Sequence, residues 1–284
     1  MATILRGAPI ARAMTEQLAE RSARLSAQGT VPTLAILRVG EREDDLAYER
    51  GAIKRCGQIG IAVRQFPLAQ QVTEQELLET IDRINADPQI HGCLLFRPLP
   101  KHLDDARVCA RLLPEKDVDG ITPGSMSALY SGAGAGFAPC TAQACVELLR
   151  GSGIDPAGKR VTVVGRSLVI GKPAAMLLLA GQATVTICHT RTADLSAACR
   201  EADILVVAAG KAGIIGRESV APGQVVLDVG IHVGADGAMT GDVRFEEVEP
   251  EVSAITPVPG GVGAVTTSVL ALHVVQAAER AASI

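Results

Sequence analysis

The sequence predicts an α/β protein of two α/β domains with a cleft between them. Three observations carry that prediction. Apolar strand-like runs alternate with stretches whose apolar residues recur at helical spacing, and the alternation occurs in both halves of the 284-residue chain. The runs of the second half are rich in valine and isoleucine on both faces, as a parallel sheet covered on both sides requires. Between the halves stands SGAGAG (131–136), six small residues that cannot pack a core and read as a flexible connection.

In order, Ile10, Met14, Leu18 and Leu25 mark one face of a first helix. TLAILRVG (33–40) is a compact strand closed by glycine, EDDLAYERGAIKRC (43–56) a helix and IAVRQFPLA (61–69) a second strand. Over 73–86, Thr73 with Glu76 three residues later gives a capping signal, and Leu77, Leu78, Ile81 and Ile84 follow at helical spacing. GCLLFRPLP (92–100) is a third strand ended by prolines. Strands separated by helices pair in parallel through right-handed crossovers. After the seam come RVTVVG (160–165), a helix from about Pro173, ATVTICH (183–189), a helix over 193–201, DILVVAAG (203–210) and QVVLDVGI (224–231). A last helix runs from Thr267 to Ala282 and packs back on the first half.

Composition narrows the function. A net charge of −4 and a pI near 5.8 leave no polybasic footprint, so neither nucleic acid nor an anionic membrane is expected as a partner. Tryptophan is absent, and four phenylalanines with two tyrosines offer few stacking platforms for bases. No apolar run approaches the roughly 18 residues of a membrane span, and MATILRGAPIARAM lacks a secretory signal. The seven cysteines are scattered without a CxxC pair, which predicts reduced buried thiols in a cytoplasmic protein. The five histidines show no metal-ligand spacing, so no metal site is expected.

GRSLVIGKP (165–173) lies where a strand ends and a helix opens, a position at which free backbone N–H groups and the helix dipole hold phosphate. It is not GxGxxG, because Arg166 and Ser167 follow Gly165. It is not a P-loop either: five residues separate Gly165 from Gly171, and Pro173 replaces the hydroxyl that would hold magnesium. Pro173 suits a first helical position instead. A ligand-free glycine turn fits the spacing equally well. The following strand ends in His189-Thr190-Arg191 without the acid that binds a ribose 2′-hydroxyl. With Arg166, that end suits a 2′-phosphate, so NADP fits better than NAD, although Arg191 also reads as a solvated surface charge.

Read together, VGEREDDLAYERGAIKRCGQIGI, RPLPKH, PEKDVDG, PCT, GRSLVIGKPAAMLLL, ATVTICHTRT, ADILVVAAGK, DVGI, GDV and TPVPGGVGAVTTS resemble the methylenetetrahydrofolate dehydrogenase/methenyltetrahydrofolate cyclohydrolase family. The segments occur in the family's order from about residue 39 to 268. The resemblance implies a folate-binding catalytic domain from residues 1–138 plus 267–284. It implies an NADP-binding domain over 139–266, the latter a Rossmann-type doubly wound parallel sheet, and a homodimer. Tyr48 matches the tyrosine that stacks on the folate near the reacting carbon. Asp119 of KDVDG matches the carboxylate that hydrogen-bonds the pterin ring, a role suited to an acceptor facing a ring N–H and an amino group together. Without the flanking KDV it reads as a turn residue. Pro98 of RPLP, and Pro259, Gly260, Gly261, Val262, Gly263 and Thr266 of PGGVGAVTT, match positions bordering the substrate; the latter segment also reads as a tight turn before the final helix. Gly165, Arg166, Ser167, Gly171, Thr190, Arg191 and Ile231 match the cofactor side.

The departures are specific. The family pattern Ser-x-x-Tyr-x-x-x-Lys is occupied by Asp45, Tyr48 and Ala52, so the catalytic lysine is missing. The glutamine that assists it is replaced by Phe96. Ser125 and Ser127 after DVDG, and Ala264-Val265 after PVPGGVG, also depart. At about 100° per helical residue, Ala52 lies about 40° from Tyr48 and Lys54 about 120° away on the other side. Arg97 neighbours Phe96 on the expected strand and points to the opposite face; a guanidinium also stays protonated and shuttles protons poorly. Asp45, about 60° from Tyr48, shares its face, or simply occupies the favourable first turn of its helix. The resemblance with these departures implies NADP-dependent oxidation of 5,10-methylenetetrahydrofolate to the methenyl form. Cyclohydrolase activity is expected to be weak or absent, with a separate cyclohydrolase acting on the product. The alternatives are a bifunctional enzyme using water or Asp45, and a non-catalytic folate- or nucleotide-binding protein.

Overall fold

The computed structural model describes residues 1–234 and 236–282; the last two residues of the expected first-domain tail lie outside the described residues. The chain forms two compact units. One comprises Ala13–Cys140 and Thr267–Ile284, the other Met1–Arg12 and Thr141–Thr266. The chain opens with strand β1 (Thr3–Ile4) of the second of these and enters helix α1 (Gly7–Ala27), within which it passes from one unit to the other.

The first unit continues with β2 (Thr33–Val39), α2 (Glu43–Ile59), β3 (Ala62–Leu68), α3 (Glu74–Ala86) and β4 (Gly92–Leu95). The three strands form a parallel sheet in the order β3–β2–β4. β2, flanked on both sides, is buried at every residue, whereas β3 at the edge has no fully buried residue and tolerates Pro67. Leu37, Leu77, Ile81, Ile84, Leu95 and Val108 share one apolar core. The Thr73 hydroxyl accepts from the Glu76 N–H at 3.2 Å, as the capping signal predicts.

Two short helices follow that periodicity did not reveal, α4 (Asp105–Arg111) and α5 (Pro123–Ser131). Both carry caps: Asp104 accepts from the N–H groups of Ala106 and Arg107, and Thr122 from that of Ser125. SGAGAG corrects its expected role. It lies inside the first unit, where Gly132 at φ +70° closes α5 by donating to the Ala128 carbonyl. The chain changes unit instead after Cys140, at the start of α6 (Cys140–Gly151).

The second unit carries β5 (Arg160–Val164), α7 (Gly171–Ala180), β6 (Thr184–Cys188), α8 (Leu195–Arg200), β7 (Ile204–Val207), β8 (Val225–Asp228), β9 (His232–Val233), β10 (Met239–Thr240), α9 (Phe245–Val248) and β11 (Ala254–Ile255). Its six-stranded sheet has the order β1–β11–β8–β7–β5–β6, and every pairing is parallel. Counted from β5, the five strands after β1 form the doubly wound order 2-1-3-4-5, whose direction switches between β5 and β7. β9 and β10 form a separate antiparallel hairpin. α10 (Thr266–Ala282) closes the chain.

Residues 1–12 depart from the expected division at 138 and 266. The Thr3 and Leu5 N–H groups donate to the Ser253 and Ile255 carbonyls at 2.8 Å, so backbone pairing draws the N-terminus into the second unit. All seven cysteines are free and buried. Among the described residues no helix is long and apolar enough to cross a membrane, and no cluster of three His, Cys, Asp or Glu side chains is arranged to hold a metal ion.

Candidate active site

α2 follows Arg42 with three acids in its first turn, Glu43, Asp44 and Asp45, which favour the positive end of the helix dipole. Gly60, at φ +82°, ends it. Its buried side is Asp45, Glu49, Ala52, Cys56 and Ile59, with Tyr48 half-buried alongside. Ala52 is completely enclosed, and Phe96 is 8 % exposed. The Phe96 ring meets Tyr48 edge-on, with centroids 5.9 Å apart and planes at 84°. Apolar surface thus occupies the position that the sequence resemblance matches to a glutamine amide.

The two cations weighed in the sequence, Lys54 and Arg97, are placed elsewhere. Lys54 is exposed. Arg97 sits beyond the end of β4, which stops at Leu95, so strand alternation does not orient it. Its guanidinium instead forms a two-point pair with Asp105, with Nε 2.8 Å from Oδ1. Pro98 is exposed, and its carbonyl lies 3.5 Å from the Arg42 guanidinium.

The two acids of KDVDG divide their work. Asp117 is fully buried and accepts from the Ile121 and Thr122 N–H groups at 3.0 and 2.7 Å, so it fixes the turn. Asp119 keeps part of its surface accessible. Desolvation raises it to about 6, against hydrogen bonds from the Cys140 thiol and backbone. Burial pushes the Cys140 thiol well above its ordinary value, so it remains protonated, and the Val118 carbonyl at 3.3 Å shares its single hydrogen with Asp119. His273 lies beside it, with Nδ1 2.8 Å from the Val118 carbonyl. A carbonyl only accepts, so Nδ1 carries the proton. Burial lowers His273 to about 4 and keeps it neutral. Phe137 stacks on its ring at 4.7 Å. Sequence reasoning placed Asp119 but assigned no role to Cys140, Phe137 or His273; the PCT segment was the available signal.

In the second unit, Gly165 and Gly171 allow backbone to approach backbone. A Cβ on Gly165 (φ +130°) would lie 2.1 Å from the Ala208 carbonyl oxygen, and one on Gly171 would lie 2.2 Å from the Gly165 oxygen. The loops leaving β5 and β7 therefore touch at the switch between those strands, the place where doubly wound sheets bind ligands. Ser167 Oγ accepts from the Ile170 N–H at 3.1 Å and shapes the entry to α7. α7 starts at Gly171, two residues before the expected Pro173, which occupies its first turn where no intrahelical N–H is required. Arg166, Ser167, Thr190 and Arg191 are all exposed. Glycines that admit close backbone approach, a helix N-terminus and two open arginines fit a phosphorylated dinucleotide.

Behind this loop is a network the sequence did not disclose. Asp242, fully buried, accepts from the Ala209 and Gly210 N–H groups at 2.6 and 2.9 Å and pairs with His232 Nε2 at 2.7 Å. Asp228 accepts from the N–H groups of Gly230, Asp242 and Val243. A Cβ on Gly241 would fall 1.8 Å from the Asp228 carboxylate, which explains the glycine of GDV. Ile231, 61 % exposed, shares a cavity of about 280 Å³ with Pro259, Gly260, Gly261, Val262 and Gly263. Thr266 Oγ1 donates to the Gly263 carbonyl at 3.0 Å and ties that loop to α10. Asp45, Tyr48, Ala52, Phe96, Pro98 and Asp119 thus belong to the first unit, and the remaining expected site residues to the second.

A family model described as tetrahydrofolate dehydrogenase/cyclohydrolase, catalytic domain, matches residues 5–119. The model for the NAD(P)-binding domain of the same family matches residues 139–282. The chain belongs to the tetrahydrofolate dehydrogenase/cyclohydrolase family. It is 50% identical over 281 residues to the bifunctional protein FolD of Carboxydothermus hydrogenoformans, covering 98% of each chain. The bifunctional FolD structure from Campylobacter jejuni is 37% identical with a TM-score of 0.95, over 99% of both chains. The FolD of Trypanosoma brucei, solved with NADP cofactor and inhibitor, is 34% identical with a TM-score of 0.92, over 100% of this chain and 99% of that one. Family membership identifies the six-stranded unit as the NAD(P)-binding domain, consistent with its switch-point loops.

Proposed function

We propose that this family member is an NADP-dependent methylenetetrahydrofolate dehydrogenase whose cyclohydrolase activity is weak or absent. One observation carries the second half of that reading: enclosed Ala52 and Phe96, packed edge-on against Tyr48, supply no proton-transferring group where the family pattern has lysine and glutamine. The two reactions make unequal demands. Dehydrogenation breaks a C–H bond of the one-carbon bridge, and the electron pair leaves with the hydrogen, so the bridge becomes a cation. When bound, NADP⁺ supplies the hydride acceptor, and no side-chain base is required. Tyr48 orients the folate near the reacting carbon, and Asp119 accepts from the pterin ring. Cyclohydrolysis adds water to the cation and moves protons between oxygen and nitrogen. Positioned acid–base catalysis contributes about 10²–10⁴-fold to such steps, and alanine contributes none of it.

Gly165, Arg166, Ser167 and Gly171 would hold the cofactor phosphates, Thr190 and Arg191 the 2′-phosphate end, and Ile231 the far end. The first unit is the folate-binding domain of this reading, and a homodimer and a separate cyclohydrolase belong to it. A second reading, a bifunctional enzyme that activates water through Asp45, draws support from the names of the relatives. Incubation with methylenetetrahydrofolate and NADP⁺ separates the two. Equal accumulation of reduced cofactor and methenyltetrahydrofolate, with methenyl decay at the enzyme-free rate, is the expected outcome. Faster decay would favour the bifunctional reading. Introducing Ala52→Lys with Phe96→Gln is expected to raise methenyl hydrolysis by about 10²-fold or more; a wild type already as fast as the double variant would overturn the proposal.

A further inference from the structure

Two acids stand one turn apart on the buried face of α2, and the protein treats them differently. Glu49 is saturated: Arg38 Nε lies 3.0 Å from one carboxylate oxygen, and Gln65 Nε2 lies 2.7 Å from the other. Asp45, 7 % exposed, forms one ion pair among the described residues, with Arg42, whose Nε is 3.9 Å from Oδ2 and beyond hydrogen-bond reach. The charged groups facing Asp45 are Arg42, Asp44 and Glu49 on α2 and Arg38 on β2. They are two of each sign, and Arg38 is committed to Glu49 and the Gly40 carbonyl. Burial leaves Asp45 above the usual carboxylate range. A buried, under-compensated carboxylate is costly unless a positive charge completes it. On the helix, Asp45 lies about 20° from Ala52 and about 60° from Tyr48, so it shares the face that carries the Tyr48–Phe96 pair.

We propose that Asp45 is the electrostatic partner of a cationic one-carbon bridge: it stabilises the positive charge that develops as hydride departs and that the methenyl product retains. The inference rests on the dehydrogenase reading above. The methylene substrate carries no charge at the bridge, so the attraction is stronger in the transition state than in the ground state, the condition for raising kcat. Ala52 takes part by omission, because an ammonium at that position would neutralise Asp45 and repel the cation. Against the serine and lysine of the family pattern, Asp45 and Ala52 together move the local charge two units toward negative. A stabilised cation is also a poorer electrophile for water, so the same pair opposes cyclohydrolysis.

The test compares 5,10-methenyltetrahydrofolate, the cation, with tetrahydrofolate, which lacks the one-carbon bridge and its charge, on the full chain and on Asp45→Asn and Asp45→Ser. Affinities are read by stopped flow within seconds of mixing. Both variants are expected to bind the methenyl form about tenfold more weakly, the size of one screened charge interaction, while tetrahydrofolate changes less than about twofold. Single-turnover hydride transfer is expected to slow by a similar factor. In the wild type, the preference for the cation falls as pH is lowered and the carboxyl protonates; in Asp45→Asn it stays flat. Equal weakening of both folates, or unchanged methenyl binding, would overturn the proposal and leave Asp45 a structural helix residue. If the wild type binds both folates but reduces no NADP⁺, the dehydrogenase reading falls, and the binding comparison still decides Asp45.

Discussion

Asp119, the residue proposed to bind the pterin, is tuned by its surroundings. Burial raises its carboxyl to about 6, and the Cys140 thiol and N–H pull against that rise. As pH falls through about 6 the acceptor form is lost, so pterin binding should weaken on the acid side. Cys140→Ala removes the Sγ–H donor, destabilises the carboxylate form and moves the acid limb of kcat/KM for the folate to higher pH. Cys140→Ser keeps a donor and should stay close to wild type. A pH profile of Cys140→Ala that overlays wild type would show that the thiol does not govern Asp119. Much of this site was legible residue by residue, because Tyr48, Ala52 and Phe96 occupy fixed positions along ordered segments. What surrounds Asp119 was not, since Cys140 and His273 approach within 3.9 Å from 133 residues apart. Arg97 lies two residues beyond the end of β4, so strand alternation was not what sets its orientation.

The loop leaving β5 was readable because glycine spacing, serine and proline each have a local conformational meaning; what spacing left open was whether it holds a ligand. Its contact with the Ala208 carbonyl makes Gly165→Ala expensive, since the new Cβ meets backbone and also forces alanine to φ +130°. Loss of about 2 kcal/mol or more in the stability of the six-stranded unit is expected, together with at least tenfold weaker NADP⁺ binding by titration calorimetry. Binding at wild-type affinity would remove the loop from the cofactor site. At the end of β8, Asp228 is raised to about 6 by burial, although three N–H groups oppose the shift. An unfolded aspartate titrates near 3.9, so between about 4 and 6 the folded state holds the extra proton. Asp228 therefore adds stability below that window and loses it as pH rises through about 6, by up to roughly 3 kcal/mol. The penalty of Asp228→Asn, measured by urea unfolding, should be larger at pH 5 than at pH 7.5. By contrast, α4 and α5 gave little periodicity because each spans two turns or so. In α6 the buried face sets Leu148 and Leu149 beside Ala142, Ala144, Cys140 and Cys145, so a helical pattern was present there and went unread.

At the scale of the chain, the order of strands was largely visible while the allocation of its ends was not. The alternation of apolar runs implied parallel sheets, and the three- and six-stranded sheets are parallel while the β9–β10 hairpin is not. Nothing local in ATILRG, however, announced that Thr3–Ile4 would pair with Ala254–Ile255, some 250 residues away. A two-residue strand has no pattern of its own, and its register is set by the edge it completes. That pairing bears on the site, because Gly7, opening α1, donates to the Gly260 carbonyl at 2.9 Å in the loop that lines the Ile231 cavity. The Ala2 N–H adds a bond to Glu249. Removing residues 2–6 should therefore expose β11 as a sheet edge and loosen Gly260 through the freed start of α1. Each lost backbone bond is worth about 0.5–1.5 kcal/mol, and the loss should be local. In native-state hydrogen exchange of the truncated chain, amides of 254–256 and 261–264 should lose about tenfold or more in protection, while the core amides of β2 and α3 keep theirs. A uniform loss across β2 and α3 would instead mean that residues 2–6 support the first unit and that the pairing with β11 is not their main contribution.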